Sequence, residues 1–92
     1  MAEFALKVTD NGMKKFRIEA GDFIHIDTTA EIKNGDFVAI LYPNATELTV
    51  RRMTRQNGCC IFESYGEPEI YEESAEDIPQ IVGKAVALCH EI

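Results

Sequence analysis

Lys7-Val8-Thr9-Asp10-Asn11-Gly12-Met13-Lys14-Lys15-Phe16-Arg17-Ile18-Glu19-Ala20-Gly21-Asp22 reads as the end of a strand, a tight turn, a short irregular segment and a second turn. Just upstream, Phe4, Leu6 and Val8 alternate with Ala5, Lys7 and Thr9. That period of two is the mark of a strand with one buried face. Asp10-Asn11-Gly12 is a turn signal, because Asn and Gly tolerate positive φ. Met13, Phe16 and Ile18 read as core residues of either a short helical turn or an irregular loop.

Further along the chain the same two signals recur. Phe23 to Asp27 is rich in β-formers. Lys33-Asn34-Gly35-Asp36 is a turn with Asn-Gly at its centre. Phe37 to Tyr42 is a continuous apolar run, which suits a central strand buried on both faces. From Glu47 to Arg55, Leu48, Val50 and Arg52 fall on one face and Thr49, Arg51 and Met53 on the other. Gln56-Asn57-Gly58 is a hairpin signal before a return strand, Cys59 to Glu63. Ile70-Tyr71 reads as a short edge strand, and Ile81 to His90 as the last strand. No segment holds a 3.6-residue period over three turns. The expectation is one all-β domain over residues 1–92, a highly curved, partly barrel-like sheet.

Composition excludes several classes of function. The net charge of −7 opposes phosphate backbones and anionic membranes, so neither nucleic acid nor membrane is an expected partner of this domain. No apolar run is long enough to span a bilayer, and Met1-Ala2-Glu3-Phe4 lacks the charged start and apolar stretch of a signal peptide. The expected location is the cytoplasm, with Cys59, Cys60 and Cys89 as reduced thiols. There is no C-x-x-C and no H-x-x-x-H, so neither a metal nor a cofactor is expected. A thiol–imidazole pair made from Cys59 or Cys60 with His25 or His90 is outweighed by ordinary strand cysteines, since Cys59 and Cys60 face opposite sides of one strand.

Four anchors fall in an order that resembles the C-terminal domains of the LexA and phage CI-type repressors, a family of Ser–Lys self-cleaving peptidases. They are Val8 to Met13, Ala20-Gly21-Asp22 with the Ile26-Asp27 strand end, Asn34-Gly35-Asp36 before an apolar strand, and Leu48 to Met53. Ile81 to Val86 is similar to the family's closing strand. In that family a serine nucleophile directly precedes the methionine, and a strand lysine is its general base. The matching positions here are Gly12 and Arg51. Glycine has no side chain to attack with, and a guanidinium stays protonated and cannot take a proton. The resemblance therefore implies a peptidase-like fold with no intact catalytic residue.

The family's cleavage segment and its helix-turn-helix domain lie upstream of such a loop, so the chain is expected to be the core of a C-terminal domain. The resemblance implies a catalytically inactive dimerisation or oligomerisation domain of a transcriptional repressor. An active Ser–Lys autopeptidase whose nucleophile was altered is the alternative reading. Expected partners are a second copy, meeting through Val82, Ala85, Val86 and Leu88, and an antirepressor or RecA-like co-protease.

Overall fold

The computed structural model describes residues 3–90. Its strands are β1 (Glu3–Lys7), β2 (Phe23–Asp27), β3 (Phe37–Leu41), β4 (Thr49–Gln56), β5 (Cys59–Glu63), β6 (Glu69–Glu72) and β7 (Gln80–Cys89), with a single 3₁₀ turn at Lys14–Phe16. They form one seven-stranded sheet in the order β1-β2-β7-β3-β4-β5-β6, every neighbouring pair antiparallel. The fold is all-β, as the alternation predicts, and the sheet is open, with β1 and β6 at its edges.

Strong curvature arises from the packing. Val8, at the end of β1, shares a buried cluster with Val50 of β4, together with Met13, Ile18, Ile24, Ile26 and Ala39. Three strands separate β1 from β4 in the sheet order. In a flat sheet that would set them roughly 19 Å apart, at about 4.8 Å per strand. The sheet must curl to bring the two valines into one core. A second cluster, Val38, Ile40, Met53, Cys60 and Phe62, fills the opposite face. β3 serves both, which is why Val38, Ala39 and Ile40 are all buried and its sequence does not alternate.

Turn chemistry accounts for the tightest hairpin. Gln56 pairs with Cys59, so only Asn57 and Gly58 connect β4 to β5. Both take positive φ, 52° and 78°. Two successive left-handed residues match the twist of the flanking strands, and Asn-Gly adopts them most cheaply.

The last strand departs from a simple alternation. β7 lies between β2 and β3 rather than at an edge. Residues Lys84 to Cys89 pair with β2, and Gln80 to Lys84 with β3. His25 faces Ala87 while Ile26 faces Ala85, leaving Val86 as an extra residue. Val82 is extra in the same way, between the partners of Ala39 and Ile40. Each such bulge reverses the facing of the residues beyond it. Leu88, opposite Ile24, thus shares a face with Ala85, opposite Ile26, and not with Val86 as strict alternation predicts. Gly83 has a packing reason to lack a side chain: a Cβ there would lie 2.7 Å from Ile26 Cγ2 and 2.8 Å from the Asp27 carbonyl oxygen.

Candidate functional site

The loop after β1 is closed at its base by the backbone. The Val8 N–H donates to the Asp22 carbonyl and the Gly21 N–H to the Val8 carbonyl, both at 2.8 Å. Met13, only 1% exposed, pins the loop into the first core cluster. Polar side chains shape the tip: Asp10 Oδ1 accepts the Gly12 N–H at 2.7 Å, and Asn11 Oδ1 accepts the Ala20 N–H at 3.0 Å.

The backbone corrects one expectation. Neither Asn11 nor Gly12 has positive φ; in this loop Arg17 and Gly21 do. The bend at Gly12 is an Asx turn made by the Asp10 carboxylate, which needs no left-handed residue. An L-amino acid could therefore occupy position 12 without backbone strain.

What Gly12 faces is the Arg51 guanidinium. A Cβ at position 12 would lie 3.3 Å from Arg51 Nη1, 3.6 Å from Nη2 and 2.9 Å from Asp10 Oδ1. The two positions singled out in sequence, 39 residues apart, thus meet in space. Strand pairing makes room for this. β4 pairs with β5 only from Arg52 onward, so the start of β4 is bordered by β3 alone. The Gly12 loop comes in there, and the Tyr65 N–H, just past β5, donates to the Gly12 carbonyl.

Sequence reasoning missed the polar residues around Arg51. Its Nη1 donates to the Val50 carbonyl at 2.7 Å, and its Nε is buried with no hydrogen-bond partner among the described residues. Tyr42 donates to both carboxylate oxygens of Glu69 at 2.9 Å, and Tyr71 donates to Oε1 at 2.8 Å. Burial first, then the Glu69 carboxylate, raise the Tyr42 phenol above its ordinary value of 10.0, while the nearby Arg51 cation acts to lower it. The first two causes push the Tyr71 phenol up to about 12. Glu69 lies 27 residues from Tyr42, and nothing local marks the pair.

An open groove leads to this site, lined by Leu6, Lys7 and Thr9 on one side and Thr46, Glu47 and Leu48 on the other. It continues into a narrow cleft bounded by Asp10, Met13, Thr49 and Val50. The sequence profile of the Peptidase S24-like family matches residues 2–86. The chain belongs to that family. It is the family of LexA- and phage CI-type C-terminal domains, as the four anchors indicate. No curated protein matches the chain.

In this S24-like domain the other candidate residues lie apart from the Gly12–Arg51 pair. Val86 and Leu88 on β7 are exposed, at 47% and 40%, whereas Val82 and Ala85 are half-buried. Ala85, Ala87 and Leu88 border a shallow apolar hollow with Phe16, Ile18, Ile24 and Phe37. Cys60 is buried in the second cluster, and His25 lies opposite Ala87, so these two have different neighbours. His90 Nδ1 is 3.0 Å from Oδ2 of the buried Asp22. Among the described residues no group of three or more His, Cys, Asp or Glu is placed to hold a metal, and no helix is long and apolar enough to cross a membrane.

Proposed function

We propose that this S24-like domain is catalytically inactive and works by association, as the dimerisation or oligomerisation domain of a LexA-like or phage-type transcriptional repressor. The observation that carries the reading is the direction of the missing Cβ at Gly12. It points at a side chain 3.3 Å away, as a nucleophile points at its base, from a backbone that does not require glycine. A Ser–Lys peptidase needs a hydroxyl at the first position and a neutral amine at the second. Glycine offers no nucleophile, and a guanidinium cannot act as a base at any relevant pH.

Association is assigned to β7, through Val82, Ala85, Val86 and Leu88. What supports it is the exposure of Val86 and Leu88 and the half-paired edges of the strand: Ala85 to Cys89 have no β3 partner among the described residues. An unpaired edge beside apolar side chains is a template for a second, two-fold-related strand. In a repressor, pairing of this kind would place two DNA-reading domains on neighbouring half-sites and raise operator affinity through effective concentration. This domain would itself make no contact with DNA, would act in the cytoplasm, and would be regulated by an antirepressor or RecA-like co-protease.

Two measurements test the reading. Full-length protein incubated at alkaline pH should stay intact, and a self-cleavage product would remove the claim of inactivity. In sedimentation at micromolar concentration the chain should run as a dimer that Val86→Asp dissociates. A monomer, unchanged by that substitution, would remove the claim of pairing.

A further inference from the structure

We propose that β6 is a docking edge for an extended, basic segment of another protein, which adds to the sheet as a further strand. The inference goes beyond the reading of positions 12 and 51 and of β7, and depends on neither.

Charge is distributed unevenly along the chain. From residue 56 to residue 83 there are seven carboxylates and no Lys, Arg or His. The acids elsewhere are balanced by Lys and Arg, so the whole net charge of −7 arises in this stretch. It contains β5, β6 and the connection to β7. Glu63 pairs with Arg52 at 3.8 Å and Glu73 with Arg55 at 3.3 Å, and Glu69 accepts the Tyr42 and Tyr71 hydroxyls. Glu67, Glu72, Glu76 and Asp77 are exposed and form no ion pair among the described residues.

The backbone of β6 is open along its outer edge. It pairs with β5 alone, and Glu69, Ile70 and Tyr71 have no other backbone partner among the described residues. Ile70 is 66% exposed, more than Val86 or Leu88 on β7. Alternation sorts the side chains of the strand. Tyr71 lies opposite Cys60 and packs against the second core cluster, which leaves Ile70 and Glu72 on the other face. An incoming strand therefore meets free N–H and C=O groups, an apolar side chain and, two residues on, an unpaired carboxylate. Its complement is an apolar residue and a Lys or Arg at the same spacing, since directly opposed side chains of adjacent strands interact.

Charge also decides against a second copy as the occupant. Two such edges would bring the same unpaired carboxylates together, and like charges on neighbouring strands repel. The opposite edge of the sheet, β1, carries Glu3 and Lys7 and has no such bias.

The probe is a short synthetic peptide of alternating Val and Lys, added at low salt to the ¹⁵N-labelled chain. Amide shifts should concentrate in β5 and β6, and the outward amides of β6 should gain protection from hydrogen exchange. A peptide with alternate valines replaced by proline keeps the charge but cannot form the ladder, and should lose the protection. Glu72→Lys should weaken binding of the Val–Lys peptide about fivefold or more. Glu31→Lys makes the same change in net charge at an exposed acid outside the stretch, and should weaken it far less. Absence of binding, equal binding of the proline peptide, or equal effects of the two substitutions would overturn the proposal. So would concentration-dependent β6 shifts in the free chain, which would make the occupant a second copy. Self-cleavage by the unaltered protein, or a monomer in sedimentation, would defeat the proposed function and leave this result standing.

Discussion

Of the three Asn-Gly dipeptides, those at 11–12 and 57–58 do different work. At 57–58 both residues are left-handed, and they alone join β4 to β5. At 11–12 neither is left-handed, and the chain is bent by the Asp10 carboxylate instead. Around Gly58 a Cβ would meet nothing within 4 Å; around Gly12 it would meet Asp10 and Arg51. One glycine is there for its backbone; at the other the backbone does not call for glycine. On the proposed reading, the same two letters mark a structural turn in one place and a vacated functional position in the other.

Substitutions can break that contrast, and Gly83 sets its upper limit. Gly83→Ala should cost the most, about 2–3 kcal/mol in urea unfolding, because the obstruction includes the Asp27 backbone, which cannot swing aside. Gly58→Ala should cost about 1 kcal/mol, the penalty of a left-handed L-residue in open space. Gly12→Ala should fall within about 0.5 kcal/mol of the unaltered chain, since what it meets are the ends of flexible side chains. A Gly12→Ala loss equal to that of Gly58→Ala would mean that the backbone needs glycine at both sites, and the lost-nucleophile reading would lose its main support.

A pH effect adds a further measurement, because Tyr42 and Tyr71 share the Glu69 carboxylate. The phenols of Tyr42 and Tyr71 are raised in the fold, so their neutral forms are favoured by folding. Their contribution is whole below 10.0 and is lost as pH rises through the folded value, about 12 for Tyr71. Stability measured from pH 9 upward should therefore decline across that window, with late phenolate absorbance. Glu69→Gln should move the absorbance to lower pH and flatten the decline.

The smallest effect belongs to a third Asn-Gly turn, at 34–35. There the Lys33 N–H and Lys84 hold the Asp36 carboxyl below its ordinary 3.8. A carboxyl depressed by folding contributes above 3.8 and ceases to as pH falls through its folded value. Asp36→Asn should lower stability slightly at pH 7 and not at all in strong acid. Equal losses at both would assign the effect to lost packing.

How far the chain could be read in advance depended on the range of the interactions. β2 and β5 match their predicted limits residue for residue, and the other strands differ by one or two residues at one or both ends. Local alternation and Asn-Gly turns carry that information. Apart from Gln80 and Lys84, β7 is apolar on both faces, too few polar residues for its alternation to reveal the extra Val82 and Val86. Those bulges arise where one strand changes partner, from β3 to β2, which no local pattern records.

By itself the sequence determined the strands, their turns and the family, since each rests on neighbours a few residues apart or on their order. It also determined that no nucleophile and no proton acceptor stand at positions 12 and 51, because side-chain identity alone decides that. Only the tertiary structure decided that those two positions touch, that Gly12 has an ordinary backbone, and that Glu69 receives the hydroxyls of both Tyr42 and Tyr71. These depend on a sheet curled enough to bring β1 to β4, and curvature is a property of all the strand pairings together.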